Sequence, residues 1–300
     1  MNIVERPTVN SNTPGPERNC MSPPLLNRAH RAVRRVVREI GVRHRIRYAN
    51  VIHCCVQKTA SRWVRRLLSD PRVYKYSGAS IYDYEKESGD PVPGRLSRDL
   101  SAVSFPHKRI ITPLYVDYPT FASIPDLDER RGFMVIRDPR DILVSWYFSM
   151  KVSHVAMGGR LLEGIRSELQ GLGKEDGFCH AIWALDTRAG MWDALRTWAE
   201  ADDRRVMVVK YRDLTSPSDG PGTFKKVLEH CDVPLPMNDV VALYEDHSFE
   251  KLAGRERGNE DQQAHLRKGV VGDWENHFTE RVMDKLRETT GDLVEALGYE

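Results

Sequence analysis

Val51-Ile-His-Cys-Cys-Val-Gln-Lys-Thr-Ala-Ser-Arg-Trp-Val-Arg-Arg-Leu-Leu68 is the stretch on which the fold turns. Its apolar run reads as a strand ending at Val56; small and polar residues then turn the chain, and an amphipathic helix begins near Ser61. In a strand–loop–helix unit, free backbone N–H groups and the positive end of the helix converge on an anion. Lys58 would place a point charge on that anion, and the Ser61 hydroxyl would add a hydrogen bond. The loop is not a Walker A loop, because GxxxxGK[ST] occurs nowhere in the chain. An ordinary turn with a solvated lysine is the plain alternative.

The same alternation continues outward. Further strands are expected over 109–113, 133–136 and 206–211, and helices over 61–69, 140–151, 159–172, 179–201, 223–230 and 280–297. Strands separated by helices predict an α/β fold: one domain, 48–300, with a central, mostly parallel sheet flanked by helices. Residues 1–24 are rich in Pro, Asn, Ser and Thr and read as a disordered tail. Over 25–47, Leu26, Val33, Val36, Val37 and Ile40 recur at helical spacing between arginines, a basic amphipathic helix. Its charged face suits solvent, and peripheral contact with an anionic membrane surface is the alternative.

Composition narrows the function classes. The 300 residues carry 45 Lys+Arg and 43 Asp+Glu, and 40% are hydrophobic. These values exclude collagen-like and wholly disordered chains and argue against a dedicated nucleic-acid binder. The charge is uneven, +7 over 1–47 and −5 over the rest. Five cysteines without CxxC spacing read as free thiols of a reducing compartment, and no Cys, His or carboxylate cluster has metal-ligand spacing. With neither a membrane-length apolar run nor a secretory signal, the expectation is a cytoplasmic protein without a transmembrane segment or metal.

Two further segments can carry chemistry. In Gly132-Phe-Met-Val-Ile-Arg-Asp-Pro-Arg-Asp-Ile-Leu-Val-Ser-Trp-Tyr147 a strand runs into Arg137, and Pro139 suits the first turn of a helix. Arg137 and Ser145 can both face the carboxyl edge of the sheet, where α/β proteins bind ligands. Arginine suits phosphate through its planar fork, whereas Asp138, Arg140 and Asp141 read as helix capping and charge balance. In His265-Leu-Arg-Lys-Gly-Val-Val-Gly-Asp-Trp-Glu-Asn-His-Phe278, two glycines follow Arg267 and Lys268, a basic loop able to lay amides on a phosphate.

Together these segments resemble the sulfotransferases that use 3′-phosphoadenosine 5′-phosphosulfate, over about residues 48–298. Gln57-Lys-Thr-Ala-Ser-Arg-Trp63 looks like the family's 5′-phosphosulfate loop, and Arg137-Asp-Pro-Arg-Asp-x-x-Val-Ser145 like its 3′-phosphate motif. Arg267 to Trp274 matches its RKGxxGDW loop letter for letter, with Lys210-Tyr-Arg-Asp-Leu214 and His247-Ser-Phe-Glu250 as weaker matches in the right order. The resemblance implies a P-loop NTPase-like sulfotransferase fold and transfer of a sulfuryl group to a hydroxyl on a small-molecule or carbohydrate acceptor. Lys58 would stabilise the leaving group. Amides from Thr59 through Ala60, Ser61 and Arg62 to Trp63 would hold the 5′-phosphosulfate. Arg137, Ser145, Arg267, Lys268 and Gly269 would clamp the 3′-phosphate, with Trp63 and Phe249 sandwiching the adenine and Tyr211 bonding its edge.

The departures are specific. Gln57, Ala60 and Arg62 replace the Pro, Gly and second Thr of the family loop, and the missing glycine requires Ala60 to keep a negative φ. The family's basic histidine on the third strand is absent from Ile110-Ile-Thr-Pro-Leu-Tyr115. His154 and His107, with Asp117, are the substitute candidates, because a hydroxyl acceptor must lose its proton. A P-loop-type nucleotide kinase and a non-catalytic nucleotide-binding homologue lacking the base are the competing readings.

Overall fold

The computed structural model describes residues 41–153 and 159–300. Five parallel strands form the sheet: β1 (Asn50–Cys55), β2 (Ser80–Tyr82), β3 (Arg109–Tyr115), β4 (Arg130–Ile136) and β5 (Val206–Lys210), in the order β2-β3-β1-β4-β5. β1 lies at the centre and is buried throughout, which is why its sequence runs apolar without alternation. Two apolar layers cover the faces. Ile52, Cys54, Met134 and Ile136 join one, with Trp192 and Trp198; Val51, Phe133, Val135 and Val209 join the other, with Phe224 and Leu243. The expected α/β architecture is the observed one.

The differences have local causes. The helix expected over 179–201 is two, Lys174–Thr187 and Met191–Ala199, because Gly190 turns left-handed between them (φ 59°). Gly291 (φ 60°) likewise splits the last one into Glu280–Thr290 and Leu293–Ala296. Strand β2 is three residues long, too short to leave a pattern in the sequence.

The 1–24 tail and residues 25–40 of the expected basic helix lie outside the described residues. The end of that helix is a correction, since 41–47 is not helical. There the Arg43 and Ile46 amides donate to the carbonyls of Lys75 and Ser77 at 2.8 Å each, and Ile46 is buried, so tertiary bonds replace helical ones. Among the described residues no helix is long and apolar enough to cross a membrane. Cys54, Cys55 and Cys231 are buried free thiols, and Cys179 is partly exposed.

Candidate functional site

A parallel sheet aligns the carboxyl ends of its strands, so the residues leaving β1, β3, β4 and β5 gather at one edge. From β1 the chain enters 56–60, where Lys58 (φ 71°) and Ala60 (φ 64°) are both left-handed. The requirement of a negative φ at Ala60 is therefore wrong. Without a glycine this conformation costs on the order of 1–2 kcal/mol per residue. It is held because the Ala60 carbonyl accepts from Trp63 N (2.9 Å) and Val64 N (3.0 Å) and the Thr59 hydroxyl donates to Val56 O (2.8 Å). The helix Ser61–Leu68 then starts with no side-chain cap and no acid in its first turn.

That arrangement leaves the amides of 59–62 without a protein acceptor among the described residues. The Trp63 amide is already spent on Ala60, so the expected row of donors is shorter by one. The Ser61 hydroxyl is buried 2.9 Å from the phenol of Tyr115, the last residue of β3.

Charge gathers on the same loop. Arg137, just past β4, donates from Nη1 to Lys58 O (3.1 Å), and its guanidinium stacks 4.4 Å above the Tyr211 ring at the end of β5. Its buried Nε has no partner among the described residues. Lys58 is partly buried with neither a carboxylate nor a carbonyl on its ammonium among the described residues. Burial, then the nearby Arg62 and Arg137 charges, lower its pKa to about 7.

Asp141 joins the second segment to the third. Buried on the helix Pro139–Phe148, its carboxylate accepts from Gly272 N (2.9 Å) and Trp274 N (3.3 Å) and lies 3.8 Å from Arg137 Nη2. Burial raises its pKa, opposed by Arg137 and the Gly272 amide. Capping and charge balance describe Asp138 and Arg140, which pair with each other at 2.7 Å, but not Asp141. Arg140 also stacks 4.1 Å from the Trp274 ring. Ser145 is one turn beyond Asp141, on the same side of the helix.

Within the third segment, Arg267 and Lys268 both pair with the buried Asp273. Burial alone would raise the Asp273 carboxyl; hydrogen bonds from His277, Lys268 and Arg267 outweigh it and hold the group well below the usual carboxylate range. Gly269 (φ 72°) packs directly on Phe249, where a Cβ would come within 2.5 Å of the ring. Trp63 reaches this region by donating to His247 O (2.9 Å), yet meets Tyr244 edge-on at 5.5 Å rather than Phe249.

The three segments thus close on one edge, and Lys58, Arg62, Arg137 and Tyr211 are drawn together there. One proton acceptor is not. His107 is exposed and precedes β3, placing it at the amino edge, roughly 20 Å of strand from the carboxyl edge. Asp117, two residues past β3, lies at the carboxyl edge, where its Oδ1 caps a helix by accepting from Thr120 N at 2.8 Å. His154 lies outside the described residues. Sequence reasoning passed over Tyr115, Asp141 and Asp273. The direction of a parallel strand was the available signal for Tyr115, since its last residue must reach this edge, and the same rule would have removed His107.

Known proteins repeat this architecture. The chain aligns with mouse SULT7A1 complexed with PAP at a TM-score of 0.55 and 17% identity, over 87% of this chain and 92% of that one. It aligns with retinol dehydratase in complex with androsterone and inactive cofactor PAP at 0.51 and 20%, over 87% and 86%. In sequence it is similar to mouse sulfotransferase 2A1, 27% identical over 57% of this chain and 58% of the relative, and to mouse sulfotransferase 2A6, 28% identical over 48% and 50%. The chain spans about half the length of these curated relatives. The sulfotransferase domain family matches residues 130–298, more than half of the chain and from β4 through the 267–274 loop. The chain therefore belongs to the sulfotransferase domain family.

Proposed function

We propose that the protein transfers a sulfuryl group from 3′-phosphoadenosine 5′-phosphosulfate to a hydroxyl on a small-molecule or carbohydrate acceptor, releasing PAP and a sulfate ester. One observation carries the reading. Three cations, Lys58, Arg62 and Arg137, sit beside four unclaimed amides, and the carboxylate nearest Arg137, Asp141, is itself occupied by the 272–274 backbone. A polyanion supplies what that edge lacks.

The donor supplies the sulfuryl group; the chain supplies binding, orientation and charge. The amides of Thr59, Ala60, Ser61 and Arg62 are prepositioned hydrogen-bond donors, set by the left-handed turns at Lys58 and Ala60. With the anionic donor bound, Lys58 would keep its proton beside it and offset charge growing on a departing phosphate. Arg137 and Ser145, with the loop of Arg267, Lys268 and Gly269 that Asp141 tethers beside them, form the seat for the 3′-phosphate. Trp63, Phe249 and Tyr211 provide flat or polar faces for an adenine.

Calorimetry with PAP and ATP, followed by transfer of radiolabelled sulfate to an acceptor panel, tests this. PAP binding with ATP rejected, and label transferred, is the expected result. A preference for ATP would favour the kinase reading, and PAP binding without transfer to any acceptor the non-catalytic one.

A further inference from the structure

Tyr115 touches the donor loop through a single buried contact, its phenol 2.9 Å from Ser61 Oγ. Cys55 of β1 pairs in register with Tyr115, so the end of β3 is fixed beside the start of the cradle. The two hydroxyls of the loop differ. That of Thr59 is already donated to Val56 O at 2.8 Å, whereas Ser61 has only the phenol. One proton of the Ser61–Tyr115 pair fills the gap between the oxygens, and the other needs an acceptor. If Ser61 donates, the spare proton stays on the phenol of the buried Tyr115, which has no other hydrogen-bond partner among the described residues. If Tyr115 donates, the spare proton belongs to Ser61, at the mouth where the amides of 59–62 converge. A buried unsatisfied hydroxyl is costly, so an anion in the cradle favours the second arrangement.

We propose that Tyr115 is a positioning residue for the donor: its phenol donates to Ser61 Oγ and thereby directs the Ser61 proton into the cradle, toward a phosphate or sulfate oxygen. This rests on the reading of the cradle as the 5′-phosphosulfate site. Burial, reinforced by Cys55 and Glu85, pushes the Tyr115 phenol above its ordinary pKa and keeps it a donor throughout the physiological range.

The experiment is a double-mutant cycle on the full chain, with PAP affinity by calorimetry and Tm on wild type, Tyr115→Phe, Ser61→Ala and the double variant. Each single change is expected to weaken PAP binding by about three- to tenfold, the range for one hydrogen bond. The double variant is expected to bind like Ser61→Ala alone, because Tyr115 acts only through Ser61. A Tyr115→Phe protein with lowered Tm and unchanged PAP affinity overturns the proposal, as do two losses that multiply in the double variant. Should Tyr115→Phe not fold, Ser61→Ala with undiminished affinity overturns it. Wild-type protein that ignores PAP overturns the reading of the cradle itself, a separate outcome from wild-type binding that survives Tyr115→Phe.

Discussion

Lys58 and Lys108 form a controlled pair. Both flank strands in the middle of the sheet and both are left-handed, at φ 71° and 57°. Lys108 stands before β3, at the amino edge, and its ammonium donates to the carbonyls of Ile46 (2.9 Å), Arg47 (3.2 Å) and Tyr48 (2.9 Å). Lys58 stands after β1, at the carboxyl edge, among amides and two arginines. One lysine staples the incoming chain. The other is held where its charge is opposed. The backbone decides which: carbonyls satisfy an ammonium at one edge, while at the other the start of a helix presents N–H groups that compete for the same anion. An uncompensated cation costs stability, and a fold retains it where binding returns that cost.

The sharpest break of the comparison is Lys58→Met. If Lys58 offsets charge on the departing phosphate as proposed, its loss is expected to lower turnover by about 10²–10³-fold, with PAP binding still measurable. Single-turnover transfer assays check this, and turnover within a few-fold of wild type would remove Lys58 from the chemistry. Arg137→Ala comes next. Deleting the guanidinium proposed to seat the 3′-phosphate would remove charge-assisted bonds and is expected to weaken PAP by roughly 10–100-fold; unchanged affinity would dissolve the proposed clamp.

Much of this contrast was open to a reader of the chain, and the limits have physical causes. The strands β1, β3 and β4 announce themselves because burial on both faces makes them continuous apolar runs, and edge strand β5 is legible from its Val-rich run although Val208 is exposed. Helix breaks at Gly190 and Gly291 did not, since apolar residues continue on both sides of interruptions only three and two residues long. Lys58, Arg137 and the 267–274 loop stood out through residue type and spacing. Asp141 did not, because a carboxylate in a first helical turn usually caps it, and only the fold brings Gly272, 131 residues away, onto its oxygen. Ala60 misled for a related reason: its positive φ is imposed by the carbonyl that accepts from Trp63 and Val64, not by its side chain.

pH sharpens the pair without mutation. Free Lys58 titrates at about 7, and a bound anion raises that value, so binding above pH 7 must take up a proton. PAP affinity is expected to fall by up to about tenfold per pH unit above 7, and this residue contributes no slope below it. Calorimetry in two buffers of different ionisation enthalpy, from about pH 6.5 to about 9, measures the uptake. Lys58→Met should abolish it. Without an anion the same shift makes the fold less stable as pH falls from the ordinary lysine range toward 7, because the unfolded chain holds that proton more readily.

Lys108→Met is expected to leave PAP affinity and turnover per folded molecule unchanged, and it shows whether the two lysines differ in kind. Its loss removes hydrogen bonds to three carbonyls that share one ammonium on an exposed lysine, at a cost of about 0.5–1.5 kcal/mol. Denaturant unfolding reads that cost, and PAP calorimetry reads the absence of any other. If affinity fell together with stability, the amino edge would be coupled to the cradle through β3, which ends at Tyr115. The contrast would then lie along one strand rather than between two edges. If neither changed, water would serve the carbonyls of 46–48 as well as the ammonium does, and the left-handed Lys108 would need another cause.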